Sequence, residues 1–328
     1  MSAITLPNTS SVPVHSLDTL QQDALLPICK ACGTQYSKPR PDCPICEDPR
    51  QYVPVTGQEW TSLAELGSGR KHILQPDEED ARINHIMTEP GFAINQTPFL
   101  IQTAEGSYIW DCAAFFAGEA SESHGDITSS CKYHPAYQPT WLILSKFFAT
   151  SLTWARALKI PLYICASDQT WFARAEDLED GDDVRFWLGE EVLGPGVKLV
   201  QCGGHFPGSC VLHWDRLLEP PPPADNLPTN PTPVSGIIFV SDTLMIRPAQ
   251  THFSFLWSIP NSIPLRPQYV LGIQKALEGV NFTQATCAWR NLWIRDGAKK
   301  ALGESVVEYI AGEGWRVENG KLVPLLTQ

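Results

Sequence analysis

Long apolar runs are missing from this chain of 328 residues. No stretch approaches the roughly 18 consecutive apolar residues that read as a membrane-crossing helix. The first twenty residues also lack a basic segment followed by an apolar one. The expectation is a protein without membrane contact, residing in the cytoplasm. Positive charge is scarce as well: 24 Lys and Arg stand against 36 Asp and Glu, a formal net charge of -12, and no basic cluster offsets it. That balance argues against a phosphate-tracking surface and hence against nucleic acid as a partner. The most acidic segment, residues 177–183, lacks the spacing of an EF-hand, so its carboxylates are expected in a solvated loop and not around calcium. No internal repeat is visible.

Cysteine, by contrast, is plentiful: the chain has 10. Without a secretion signal, such thiols point to metal ligation or burial more than to disulfides. Four fall in Cys29-Lys-Ala-Cys32 and Cys43-Pro-Ile-Cys46. Each Cys-x-x-Cys turn aims two thiolates at one point, and a short loop returns the second pair to complete a tetrahedron. The segment resembles a rubredoxin-like zinc ribbon and is expected to span residues 25–52, with zinc as a structural cofactor. Four thiolates leave no open coordination position, so the site would hold the fold together or dock a protein partner and would do no chemistry. Replacing Cys29 with Ser is expected to unfold this segment and leave the remainder folded. Cys112, Cys165, Cys202, Cys210 and Cys287 sit in or beside apolar runs and read as packing residues.

Residues 1–24 are polar and contain Pro7 and Pro13, the composition of a disordered tail. Residues 53–90, with the charged stretch 77–80, read as a linker approaching the core. From residue 91 to 328 the pattern becomes that of one layered domain. Residues 99–103 and 108–112 flank a glycine-bearing turn as a β-hairpin. Residues 141–145, 161–165, 197–202 and 236–240 read as further strands, and residues 152–158, 270–278 and 298–311 as helices. Residues 220–233 form a proline-rich surface loop between strands. Strands alternating with helices argue for an α/β layered fold.

Three segments follow one another in a recognisable order: Trp110-Asp111-Cys112, Gly203-Gly204-His205-Phe206-Pro207-Gly208-Ser209, and Phe239-Val-Ser-Asp242-Thr243-Leu244. Together, over roughly residues 91–310, they resemble the metallo-β-lactamase superfamily, in particular its glyoxalase II-like hydrolases. The resemblance implies an αββα sandwich whose loops bind zinc or another divalent metal in a cleft and hydrolyse a small-molecule substrate. His205 and Asp242 match the family's ligand positions. Two departures accompany them. Lys146 stands where the family carries a His-x-His-x-Asp-His stretch, and no histidine follows His252 to serve as the last ligand. Three or more protein donors are the norm for catalytic zinc, so the resemblance supports two readings: a metal-dependent hydrolase with an incomplete site, and a non-catalytic binding or scaffold protein that retains the fold.

Other histidines and carboxylates complete the candidate set. His124, Asp126 and His134 lie in a polar stretch that could fold over the cleft and supply ligands, although a solvated loop is the simpler reading. The loss of pattern from about Ala117, and its return at Phe147, is also what a retained intron would leave. Asp111 ends a strand where a carboxylate orients ligand histidines. His213 reads as a strand histidine and His252 as a core or surface residue.

Overall fold

The computed structural model describes residues 17–67, 69–104, 106–116, 139–144, 148–218 and 236–325. Two strands near the N-terminus, β1 (Ile28–Cys29) and β2 (Trp60–Thr61), pair antiparallel. Seven strands then build one sheet in chain order: β3 (Lys71–Pro76), β4 (Ile83–Glu89), β5 (Phe99–Gln102), β6 (Ser107–Trp110), β7 (Pro139–Ile143), β8 (Leu162–Cys165) and β9 (Val184–Trp187). The first four run antiparallel and the last four parallel. A six-stranded sheet follows in the order β10 (Glu190–Gly194), β11 (Val197–Gln201), β12 (Cys210–Asp215), β13 (Gly236–Phe239), β18 (Gln284–Thr286) and β19 (Trp293–Ile294). Between β13 and β18 lie four short strands, β14 (Met245–Ile246), β15 (Phe253–Ser254), β16 (Leu256–Ser258) and β17 (Ile263–Pro264), paired two by two.

The side-chain period of two explains how near-continuous apolar strands become the middle of four layers. Phe99 and Ile101, Tyr163 and Cys165, Leu212 and Trp214, and Ile237 and Phe239 point between the sheets and form one buried cluster. Their neighbours Leu100, Ile109, Leu142, Leu162 and Ile164 face outward and are covered by the helix Ser151–Leu158. On the far side Val211, Ile238 and Ala285 are covered by the helices Pro267–Ala276 and Ala298–Gly312. A strand buried on both faces has no polar alternation to display. The result is an αββα sandwich. Among the described residues no helix is long and apolar enough to cross a membrane.

Three expectations change. Residues 17–24, assigned to a disordered tail, belong to the helix Leu17–Leu25, because Asp23 is buried and pairs with Arg156 at 2.9 Å and Arg174 at 2.7 Å. The supposed linker 53–90 contains β2, β3 and β4, with Ile83 and Ile86 fully in the core. Its charged stretch is the turn between β3 and β4: Asp77 accepts two hydrogen bonds from Arg295 (2.9 and 2.8 Å), and Asp80 pairs with Arg82 and Arg216. The acidic segment 177–183 is only partly solvated, since Asp182 is buried against Arg156 at 2.7 Å. The loop expected over residues 220–233 lies outside the described residues.

β3 also carries a testable titration. His72 is wholly buried, its ring 5.2 Å from Phe115 and 5.4 Å from Trp154, and burial lowers its pKa to about 4. Unfolded, the same ring takes up a proton near 6.5. Between those values the unfolded chain binds the extra proton, so stability falls as pH drops through this window, by about 3 kcal/mol in total. His72→Phe is expected to flatten the acid limb of melting temperature against pH between 6.5 and 4. Parallel limbs for the two proteins would show that His72 does not contribute.

Candidate functional site

The four cysteines are brought together by local chemistry. The first pair follows β1, where the Gly33 amide donates to the Cys29 carbonyl at 2.8 Å and Gly33 takes φ +82°, a conformation open to glycine. A Cβ on Gly33 would also lie 2.2 Å from that of Ala114, so the knuckle is pressed against the sandwich. In the second pair Cys43 precedes, and Cys46 lies within, a one-turn helix, Pro44–Glu47, with proline at its first position. All four sulfurs are buried and lie within 4.8 Å of one another, with Cys29–Cys46 at 3.5 Å and Cys32–Cys43 at 3.6 Å. A tetrahedron with metal–sulfur bonds of about 2.3 Å has edges of about 3.8 Å. The cluster therefore fits zinc.

Hydrogen bonds within the cluster shift the thiols in opposite directions: those with Cys32, Cys43 and Cys46 lower Cys29, and those with Cys29 raise Cys32 and Cys46. Gln58 Nε2 and the Cys32 amide donate to Cys29 Sγ at 3.1 and 3.5 Å, and the Tyr36 hydroxyl lies 3.2 Å from Cys43 Sγ. Such donors are the partners that coordinating sulfurs keep in metal sites.

The second candidate site lies where strand ends of both sheets meet. β11 leads to Gly203 and Gly204, at φ +65° and +93°, and a Cβ on Gly204 would press on Ile273 and Leu265 at 3.0 and 3.2 Å. That turn delivers His205. Ser209 closes the loop by accepting from the Phe206 amide at 2.9 Å through its hydroxyl and from the Cys202 and Gly203 amides through its carbonyl. Asp242 follows β13 on the same end of the sheet, because β13 is antiparallel to β12. The His205 ring donates Nδ1–H to the Leu256 carbonyl at 2.8 Å, which fixes the tautomer and leaves Nε2 as the unprotonated nitrogen, 3.9 Å from Asp242 Oδ2. That gap exceeds a hydrogen bond, yet one ion at about 2.0–2.2 Å from each donor would span it. Both side chains are buried, at 1% and 6% exposure.

Among the described residues, these are the two cleft donors brought together. Among the described residues, no group of three His, Cys, Asp or Glu other than the four cysteines gathers around a common point. On the described residues, then, the cleft does not fit a catalytic zinc. His124, Asp126, His134 and Lys146 lie outside the described residues. Asp111 is buried at the end of β6 with φ +66°. His213 is a structural strand residue whose Nε2 lies 2.7 Å from the Asn281 carbonyl, and burial lowers its pKa. His252 is partly exposed beside Thr251. Burial raises the thiols of Cys112, Cys165, Cys202, Cys210 and Cys287, with Cys202 pushed up to about 12, as packing residues require.

Two residues at this site carry no sequence signal of their own. Buried Asp168, after β8, accepts from the Gly208 amide at 2.8 Å, and a Cβ on Gly208 would meet its carboxyl at 2.7 Å. Arg50, from the ribbon, donates Nη1–H to the His205 carbonyl at 3.1 Å. Neither partner is near in sequence, so no local pattern announces the contact.

The αββα sandwich brings His205 and Asp242 to neighbouring strand ends, and a four-cysteine ribbon packs against it. No family model matches the chain. It is 30% identical over 292 residues to the "Uncharacterized protein YmaE" of Bacillus subtilis (strain 168), covering 86% of this chain and 95% of that protein, and it belongs to the same family. Similar solved structures include DIM-1 metallo-β-lactamase, with a TM-score of 0.47, 11% identity and coverage of 74% of this chain and 98% of that one. Another is a metallo-β-lactamase from Pontibacter korlensis, with a TM-score of 0.45, 11% identity and coverage of 72% and 98%.

Proposed function

We propose that the chain is a metallo-β-lactamase-like hydrolase by descent whose cleft is incomplete and does not turn over substrate, while its ribbon holds one structural zinc. The observation that supports this reading is the His205–Asp242 pair, which among the described residues is one donor short of the three that catalytic zinc usually requires. In a complete site the metal would lower the pKa of a bound water and polarise the bond to be broken. In this chain the fold serves binding, in the cytoplasm, toward a small molecule or a protein and not toward nucleic acid, in keeping with the net charge of -12.

Elemental analysis of the purified full chain, with and without His205→Ala, tests this directly. One zinc per chain in both proteins is expected, together with no hydrolysis of simple ester, thioester or phosphoester probes. A second or third metal that disappears with His205→Ala would mean that further donors complete the cleft, and the inactive reading would fall.

A further inference from the structure

The ribbon and His205 meet through a closed ring of hydrogen bonds. Asp48, which follows the Cys43–Cys46 turn, grips Arg50 with both carboxylate oxygens, from Nε at 2.7 Å and from Nη2 at 2.8 Å, and also accepts from the Arg50 amide at 2.9 Å. So fixed, the guanidinium lies 3.7 Å from the Phe206 ring centre, with Trp171 at 5.2 Å and Trp257 at 5.8 Å. Arginine is suited to such a place because its planar fork serves a carboxylate and an aromatic face together. The remaining Nη1 donates to the His205 carbonyl. The Arg50 carbonyl, in turn, accepts from the hydroxyl of fully buried Ser258 at 2.9 Å. Ser258 ends β16, and the first residue of β16 is Leu256, whose carbonyl takes the His205 ring N–H. Asn261 fastens the same segment by donating to the carbonyls of Pro49 and Gln51 at 3.1 and 2.9 Å.

We infer that Arg50 is a positioning residue that couples the ribbon's metal site to His205, so that zinc on the four cysteines holds both the backbone and the ring of His205. Cys43 and Cys46 fix the turn that carries Asp48 and Arg50, and one arm from Arg50 reaches the His205 carbonyl while the other reaches its Nδ1 through Ser258 and Leu256. The inference rests on the four-cysteine cluster holding zinc and is independent of whether the cleft binds metal. Coupling of this kind is reciprocal: what loosens His205 must also loosen the zinc. It would make the ribbon a zinc-dependent lock on the cleft, which regulates whatever the cleft binds.

The test uses the full zinc-loaded chain with Arg50→Ala and Arg50→Lys, and reads two quantities. One is the ring tautomer of His205 by long-range proton–nitrogen NMR; the other is the rate at which a chromogenic chelator strips the ribbon zinc. Wild type is expected to show a single Nδ1–H tautomer and slow zinc release. Arg50→Ala is expected to give mixed tautomers and release faster by roughly tenfold, with partial recovery in Arg50→Lys, which keeps one donor, because weakened local contacts open more often. His205→Ala, which leaves the zinc count unchanged, is expected to speed release as well. Should Arg50→Ala fail to fold, Ser258→Ala removes one arm alone and is expected to show both changes to a smaller degree. A folded Arg50 or Ser258 variant with the wild-type tautomer and the wild-type release rate overturns the coupling. A wild-type chain without ribbon zinc overturns the zinc reading instead.

Discussion

Cys29→Ser is expected to abolish zinc binding and to destabilise the whole chain in a single transition, in place of the local unfolding that the sequence suggests. Cys29, Cys32, Cys43 and Cys46 belong to the same buried cluster as Leu142, Leu162 and Ile164 of the seven-stranded sheet. The Gln35 amide donates to the Ala149 carbonyl at 3.1 Å, and the Gln35 side chain accepts from Thr153 at 2.8 Å, so the knuckle is tied to the helix that covers the sheet. Structural zinc contributes an apparent ~10–16 kcal/mol in small finger peptides. Losing even a third of that is comparable with the ~5–15 kcal/mol by which typical folded domains exceed their unfolded states. Far-UV circular dichroism and tryptophan fluorescence followed on one thermal scan provide the check. Coincident curves at a lower midpoint are expected; two separated steps, the second at the wild-type temperature, would establish an independent ribbon.

Asp23→Ala should cost about 3–5 kcal/mol, the range seen when one member of a buried ionic group is removed. The Asp23 side chain, 3% exposed, receives Arg156 and Arg174, whose own side chains are 2% and 4% exposed. Arg156 keeps Asp182 and Arg174 keeps Asp177, but each loses a partner in a place water does not reach. The helix Leu17–Leu25 then has no charged anchor among these partners. Urea unfolding of the two proteins at neutral pH measures the difference. A change below about 1 kcal/mol, the value of an exposed pair, would contradict this account.

What could be read in advance was local. The Cys-x-x-Cys spacing required only a chain of thiols and a turn, and Gly203-Gly204-His205 and Ser241-Asp242-Thr243 required only strands that end and expose a side chain. The four cysteines gather around one point, and His205 Nε2 lies 3.9 Å from Asp242 Oδ2. β3 and β4 were hidden because His72, Asn84, His85 and Thr88 interrupt their apolar alternation while remaining buried. The partners of Asp77 and Asp182, and the second partner of Asp80, could not be read in advance, because Arg295, Arg156 and Arg216 are distant in sequence. Arg50 was invisible for the same reason, since an isolated arginine says nothing of the aromatic rings or the carbonyl it will find. Charge in a sequence shows where solvation or a partner is needed, and only the fold decides which.

The ribbon's position also bears on how the chain is made. Its ligands lie within eighteen residues of one another, Cys29 to Cys46, and β1 needs only β2 to pair, so a translating ribosome releases a metal-ready unit before any of the sandwich exists. Yet Ile28, Tyr36 and Leu63, buried in the finished cluster, must wait with exposed apolar faces until β7 and β8 are synthesised. Native contacts this far apart slow folding and leave surfaces open to aggregation. A nascent chain that has captured zinc would present those faces on a constrained turn, and a metal-starved one on a looser chain. The availability of the ion during synthesis would thus be felt as the yield of folded protein, before it was felt anywhere else.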